Sequence, residues 1–388
     1  MNVTFIILIL INLSFAGIGL PHSVLGSAWP VMYNDINSTV TSLGFISMLL
    51  MFGTTIASFF TGKLLQLYNS GIIITSGLFL IFLSLCGFAL SSNFIFICIS
   101  AVPLGIGTGL TDATLNSYSA AHYGAKHMNW QHCMWGLGAA TGPVLMAYGM
   151  AINSWRTGYF IIGGAVLVIL LFLFLSLPMW KRKLVNNETA QNLIKTPQNY
   201  KTLFKLRGFK LSLVIFLTYV AAETSIGLWG SSYLVFAKNI PPETAARWIS
   251  LYFVGITAGR FFSGLLAVLL SSKQLVWLGC IVFGCGIITT QIPLGNATLT
   301  LMSGFLIMGL GCAPVFPTLM HLTPSKFGTD YSKMAVGVQV SSAYAGSAMI
   351  PPLYGLIAAQ FGNHLLPVFL GVLLLIFTTA IYLYNKIN

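Results

Sequence analysis

The chain has 388 residues, of which 56% are hydrophobic and only 6% charged, with a mean hydropathy of +0.87. An ordinary soluble domain carries about 25% charged residues, so this composition excludes one and places the chain in lipid. The formal net charge of +12 would call for a nucleic-acid partner only if its distribution were ignored; in a membrane protein the basic residues belong to loops, and no nucleic acid is expected.

Runs long enough to cross a bilayer define twelve predicted spans. Spans 1 to 6 fall at about 4–32, 42–62, 71–91, 94–116, 129–150 and 157–179, and spans 7 to 12 at about 211–236, 249–270, 275–293, 299–321, 334–360 and 365–384. The N-terminal run resembles a signal peptide over residues 5–16, with small residues at Ser14 and Ala16. Yet MNVT carries no Lys or Arg and the apolar run continues to Val31, so a retained first span is expected. Six spans, a polar connector and six more spans give three parts: a bundle over 1–179, a linker over 180–210 and a bundle over 211–388. The linker holds Lys181, Arg182, Lys183, Lys195, Lys201, Lys205, Arg207 and Lys210, which suits a solvated segment drawn to anionic headgroups.

Charge sets the expected orientation. With the N-terminus inside, 14 of the 18 Lys and Arg fall on inside-facing segments. Only Arg156, Lys238 and Arg247 fall outside, and Arg260 lies within a span. This asymmetry puts both termini in the cytoplasm. Cys86, Cys98, Cys133, Cys280, Cys285 and Cys312 all sit in apolar segments without ligand spacing, and read as small packing residues. No nucleotide-binding loop, nucleophile–base set or metal cluster is present in the sequence, so no cofactor or metal and no enzymatic activity is expected; any transport would run on ion or solute gradients.

The halves resemble each other. GTTIASFFTGKLL (53–65) and GITAGRFFSGLLA (255–267) share G-x-T-x3-F-F-[TS]-G-x-L at an offset of 202, and the same offset lays Gly107 and Gly109 over Gly309 and Gly311. An offset of 204 lays GSAW (26–29) over GSSY (230–233). Two six-helix repeats related about a membrane-normal axis describe the major facilitator architecture, an all-α membrane fold with its site between the halves. There spans 1, 4, 7 and 10 line the cavity, and His22, Asp112 and Glu223 fall on the first three.

Only six residues are Asp or Glu, yet Asp112 and Glu223 each stand inside a long apolar run, with Asp35 at the end of span 1. A carboxylate in hydrocarbon is costly and persists mainly where it faces a polar cavity or relays a proton. Desolvation favours the neutral acid, which lets such a group load and release a proton near neutral pH. Asn116, one turn beyond Asp112, shares its face.

Several motifs narrow the family. GIGTGLTDATLNSY (105–118) followed by NWQHCMWGLGAATGP (129–143) resembles the fucose–proton symporter branch of the major facilitator superfamily. YVAAETSIGLWGSSYLV (219–235) resembles the Glu-bearing span 7 of its glucose/mannose-type members, and GLGCAPVFPTLMHLTP (309–324) and GVQVSSAYAGSAMIPP (337–352) resemble their spans 10 and 11. The resemblance covers nearly the whole chain. It implies twelve membrane-spanning helices in two pseudo-repeats, and proton-coupled symport of a sugar or polyol by alternating access. It also implies a multi-pass protein of a bacterial inner membrane, acting as a monomer on small solutes and protons. The chain departs from the branch in having His22 where span 1 usually carries Asp, and GKLLQLYNSG (62–71) where the superfamily's loop motif has an acidic residue.

The candidate coupling residues are therefore Asp112, Glu223 and His22. Each has a structural alternative: a hydrogen bond to a neighbouring helix for Asp112, a static pairing with span 11 for Glu223, and packing or a bond to a sugar hydroxyl for His22. Asn116, Asn129, His132, Trp135, Trp229 and Gln339 are the candidate substrate contacts. Trp229 is expected to face the cavity, with Trp130 and Trp135 stacking on a sugar or sitting in an interfacial belt. Gln339 could bond substrate or join helices. Arg260 is expected to cap carbonyls or pair with a carboxylate, and Pro314 and Pro317 to break span 10. An exporter of drugs or metabolites by proton antiport would use the same carboxylates, and a non-transporting membrane receptor or scaffold would need an appended domain or a long exposed loop.

Overall fold

The computed structural model describes residues 3–123, 125–180, 200–292 and 297–387. Every regular element among them is helical. In chain order these are α1 (Val3–Gly19), α2 (Val24–Asp35), α3 (Ser42–Leu67), α4 (Ser70–Leu90), α5 (Phe94–His122), α6 (Ala125–Ile152), α7 (Trp155–Ser176), the short α8 (Tyr200–Leu203), α9 (Phe209–Lys238), α10 (Pro242–Leu266), α11 (Ser272–Thr289), α12 (Ala297–Cys312), α13 (Val315–Phe361) and α14 (Leu366–Ile387). Lipid supplies no hydrogen bonds to a bare backbone, so a spanning chain with this composition folds as helices. Ten of the segments are long and apolar enough to cross a bilayer on composition alone. The more polar α6 and the part of α13 after Gly328 complete the twelve. Most of the predicted linker, residues 181–199, lies outside the described residues.

Local sequence sets the boundaries. Asn69 and Asn93 cap α4 and α5 by accepting from the backbone N–H of Ile72 and Phe96 at 2.8 and 2.9 Å, and Ser271 with Gln274 forms a capping box on α11. Span 1 is not one helix. It breaks between Gly19 and Val24 around Pro21, which has no N–H and clashes with the preceding turn. Spans 10 and 11 differ from expectation in the opposite sense. The segment between them stays helical, and the reversal is confined to Gly328, whose φ of 78° suits glycine.

Two bundles result, α1–α7 and α9–α14. Within them small residues bring helix backbones together. A Cβ on Gly105 would lie 2.1 Å from the Leu50 carbonyl oxygen, and one on Gly309 would lie 2.0 Å from that of Tyr252. Gly107 likewise faces the Gly77 carbonyl, and Gly311 that of Gly279. These contacts correct the repeat register. Spans 2 and 3 map onto 8 and 9 at the offset of 202, but span 4 maps onto span 10 at 204. Gly105 and Gly107 are the partners of Gly309 and Gly311, not Gly107 and Gly109. The run GIGTG offers two glycine registers, and only the packing distinguishes them.

The bundles meet along α2 with α9 and α10, α3 with α13, and α6 with α10. A Cβ on Gly26 would touch the Leu228 carbonyl at 2.5 Å, Tyr33 stands edge-on to Phe236 at 5.9 Å, and a Cβ on Gly44 would meet Pro352 at 2.8 Å. Apart from the lateral α6–α10 seam, these contacts lie in the half of the molecule away from Gly208 and α9's start. The interbundle cleft thus opens on the side from which the linker enters. Outward-facing positions such as Phe59, Leu175, Val268 and Leu269 are exposed and apolar, as a lipid boundary requires.

Candidate transport site

The break in span 1 places His22 in the cleft. Its ring lies deep in the molecule yet is open to solvent, edge-on to Trp135 of α6 at 4.8 Å and to Phe253 of α10 at 6.2 Å. Span 1 and α6 approach this closely because a Cβ on Gly19 would fall 2.2 Å from the Trp135 carbonyl oxygen. Ser23, next to His22, donates to the Ala139 carbonyl at 2.9 Å and fixes the break against α6. His132, one turn before Trp135 on α6, is also open, with Phe15 edge-on at 5.4 Å. His22, His132 and Trp135 therefore form one wall of the cleft.

Asp112 is half-buried on α5. Asn116 donates through Nδ2 to both its backbone oxygen, at 3.0 Å, and its carboxylate Oδ1, at 3.1 Å. The shared face expected from spacing is present, and Tyr344 of the opposite bundle lies within electrostatic reach. Glu223 is half-buried on α9. Tyr252 of α10 donates to its backbone oxygen at 3.2 Å, and the Tyr219 hydroxyl lies within hydrogen-bonding reach of its side chain. That hydroxyl donates at 2.6 Å to the carbonyl of Cys312, where span 10 breaks ahead of Pro314. The break thus supplies a carbonyl, as expected, but to Tyr219 rather than to open cleft. Among the described residues the one ion pair is Arg156–Asp35 at 3.3 Å, so neither Asp112 nor Glu223 is neutralised by a cation. Asp35 also accepts from the Trp155 indole at 2.7 Å and serves as a staple between α2 and α7.

Three expectations are corrected. Trp229 is 0% exposed; its indole donates to the Pro351 carbonyl at 2.8 Å, with Tyr354 at 5.5 Å, so it fastens α9 to α13 and does not face the cleft. Gln339 is 1% exposed and joins three helical segments, donating to Ser212 at 3.0 Å and accepting from Thr323 at 2.9 Å. Arg260 neither caps a carbonyl nor meets a carboxylate among the described residues; its guanidinium carbon lies 5.4 Å from the Trp135 ring centroid, across the bundle boundary. The Asn129 side chain lies outside the described residues, and Trp130 is exposed at the molecule's surface. Tyr219, Tyr252, Tyr344 and the orientation of Arg260 were not singled out from sequence, because nothing in an all-apolar helix marks which face meets the cleft.

An apolar crevice of about 290 Å³ lined by Tyr219, Cys312, Phe283 and Phe377 lies within the second bundle. It has few polar atoms and is separate from the wall formed by His22, His132 and Trp135.

The profile of the Major Facilitator Superfamily matches residues 7–241. The chain is 24% identical over 356 residues to the glucose/mannose transporter GlcP of Bacillus subtilis, covering 88% of this chain and 85% of that one. It is 23% identical over 404 aligned positions to Bypass of stop codon protein 6 of Saccharomyces cerevisiae, covering 96% and 81%. Among solved structures a D-xylose-proton symporter superposes with a TM-score of 0.79 at 16% identity, covering 100% of this chain and 98% of that one. The nucleoside transporter NupG superposes with 0.75 at 14% identity, covering 99% of each. At such identities the structural likeness speaks to fold alone, and the profile speaks to family. This multi-pass membrane protein of two six-helix bundles is a transporter and not an enzyme, and it belongs to the major facilitator superfamily.

Proposed function

We propose that the chain is a proton-coupled symporter of a small polar solute of the sugar or polyol class, working by alternating access. The observation that carries this reading is the pair Asp112 and Glu223, one in each bundle. Both are half-buried and held by hydrogen-bonding side chains or neighbours, and neither is in an ion pair among the described residues. A carboxylate kept in place by a neutral donor can change protonation without losing its position, which is what a proton relay needs. Asn116 would hold Asp112 in either state. Tyr219, already committed to Cys312, can also accept from a protonated Glu223. Solute and proton would enter the cleft together, and neutralising the carboxylate would lower the cost of closing the open half over it. The names of the relatives, a glucose/mannose transporter and a D-xylose-proton symporter, support the solute class and the coupling ion.

The excess of Lys and Arg on the linker side supports both termini in the cytoplasm, in a bacterial inner membrane, so that the open cleft faces inward. The Asn116, Asn129 and His132 positions remain candidates for solute contact, with Trp135 as a stacking surface; a single chain contains both halves of the site and would act as a monomer. The test is uptake into proteoliposomes. An inward proton gradient should drive accumulation of a labelled sugar, and a protonophore should collapse it. Uptake indifferent to the gradient would remove the coupling. Resistance to bulky cations in a deletion strain, without sugar uptake, would favour the antiport exporter.

A further inference from the structure

Arg260 is unexplained by proton coupling. It lies within α10, six residues before that helix ends, and is the single Lys or Arg placed inside a predicted span. Its Nε is buried and has no hydrogen-bond partner, and no carboxylate lies within ion-pair distance of the guanidinium among the described residues. The repeat sharpens the anomaly. At the equivalent position of span 2 stands Ser58, whose hydroxyl donates to the Gly109 carbonyl at 3.3 Å, a contact within one bundle. Arg260 instead crosses the bundle boundary to Trp135, and its charge reaches His22 and His132 of the opposite wall and Tyr219 of its own bundle.

A buried guanidinium is costly unless something compensates its charge. Trp135 gives part of that compensation, since an aromatic ring attracts a cation. It takes none of the planar N–H donors that match a carboxylate in a two-point fork. Around that fork stand two imidazoles, each able to bond a hydroxyl, and an indole ring suited to the apolar side of a sugar ring.

We propose that Arg260 anchors an anionic group of the transported solute, and that the solute is a sugar-sized polyol bearing one carboxylate. This deepens the sugar-transport reading and rests on it. A single guanidinium, with no second cation placed inside a span, suits a monoanion better than a phosphate dianion. The anchor sits on α10 while His22, His132 and Trp135 belong to the first bundle. A solute held by both would therefore tie its own binding to bundle closure.

The full chain, purified in nanodiscs, should be titrated with neutral hexoses, the matching uronates and aldonates, and the hexose phosphates, followed by proton-driven uptake of each. The sugar acids are expected to bind at least tenfold more tightly than the neutral sugars, equivalent to about 1.4 kcal/mol. Arg260→Gln should bring that ratio to within about twofold without lowering Tm, because no bond to protein is lost, and Arg260→Lys should restore part of it. Hexose phosphates binding tightest would overturn the carboxylate assignment. Neutral sugars binding as tightly as their acids, with proton-driven uptake intact, would overturn this inference and leave the proposed function standing. Absence of both binding and uptake across the panel would overturn both. A fall in Tm for Arg260→Gln with the acid preference unchanged would make Arg260 a structural residue and overturn the anchor.

Discussion

Replacing Asp112 by Asn isolates proton coupling from architecture. The amide keeps the shape of the carboxyl group, and its oxygen can still accept from Asn116 Nδ2, which bonds the wild-type Oδ1 at 3.1 Å and the backbone oxygen at 3.0 Å. The structural loss is the difference between a charge-assisted and a neutral hydrogen bond, about 1 kcal/mol, and the backbone contact of Asn116 is untouched. The energetic loss is larger. One proton moving inward across about 100 mV supplies about 2.3 kcal/mol, and one pH unit adds about 1.4 kcal/mol. Together these support a gradient of roughly 500-fold, at 1.4 kcal/mol per tenfold. Asp112→Asn should bind solute and exchange it across the membrane, yet equilibrate it at a ratio near one. The assay is parallel measurement in proteoliposomes of gradient-driven accumulation and of exchange between labelled and unlabelled solute. Accumulation by Asp112→Asn well above equality would show that Asp112 does not carry the proton, and would pass coupling to Glu223 or His22.

Two further substitutions test how the site was assigned. His22→Asp should fold and keep its melting temperature in detergent within a few degrees, because His22 opens on the cleft where water can solvate a charge; a position in hydrocarbon would charge about 2.5–3.5 kcal/mol for it, so aggregation of the variant would place His22 outside the pathway. Trp229→Ala should destabilise the second bundle by roughly 3–5 kcal/mol, as loss of a fully buried Trp does, since the indole bond to Pro351 and the contact with Tyr354 both go; unchanged thermal stability with abolished solute binding would instead return Trp229 to the cleft.

Much of this architecture is legible in the order of apolar runs. Hydrocarbon leaves the backbone no partner but itself, so twelve long apolar runs become twelve helices without reference to tertiary contacts. The motif shared by residues 53–65 and 255–267 exposes the internal duplication, because the same helix–helix approach has to be made twice. Asp112, Asn116 and Glu223 stand out for a related reason: polar groups are expensive in these surroundings, and the i, i+4 spacing of Asp112 and Asn116 is fixed by helix geometry alone.

The tertiary structure decided which polar and aromatic side chains meet the cleft. Helices apolar all round carry no amphipathic stripe, so a sequence cannot separate a face turned to lipid from one turned to a neighbour or to water. That is why Trp229 and Gln339 looked like solute contacts but are helix fasteners, and why Arg260 looked like a cap but reaches Trp135. The glycine register between spans 4 and 10 was equally hidden, because GIGTG repeats its glycines every second residue and only the carbonyls of Leu50 and Tyr252 choose between them. Which residues form helices, and how many times they cross, follows from local chemistry in lipid. Which residues face one another depends on backbone approaches of a few ångströms between segments far apart in sequence, and those exist only once the bundles have packed.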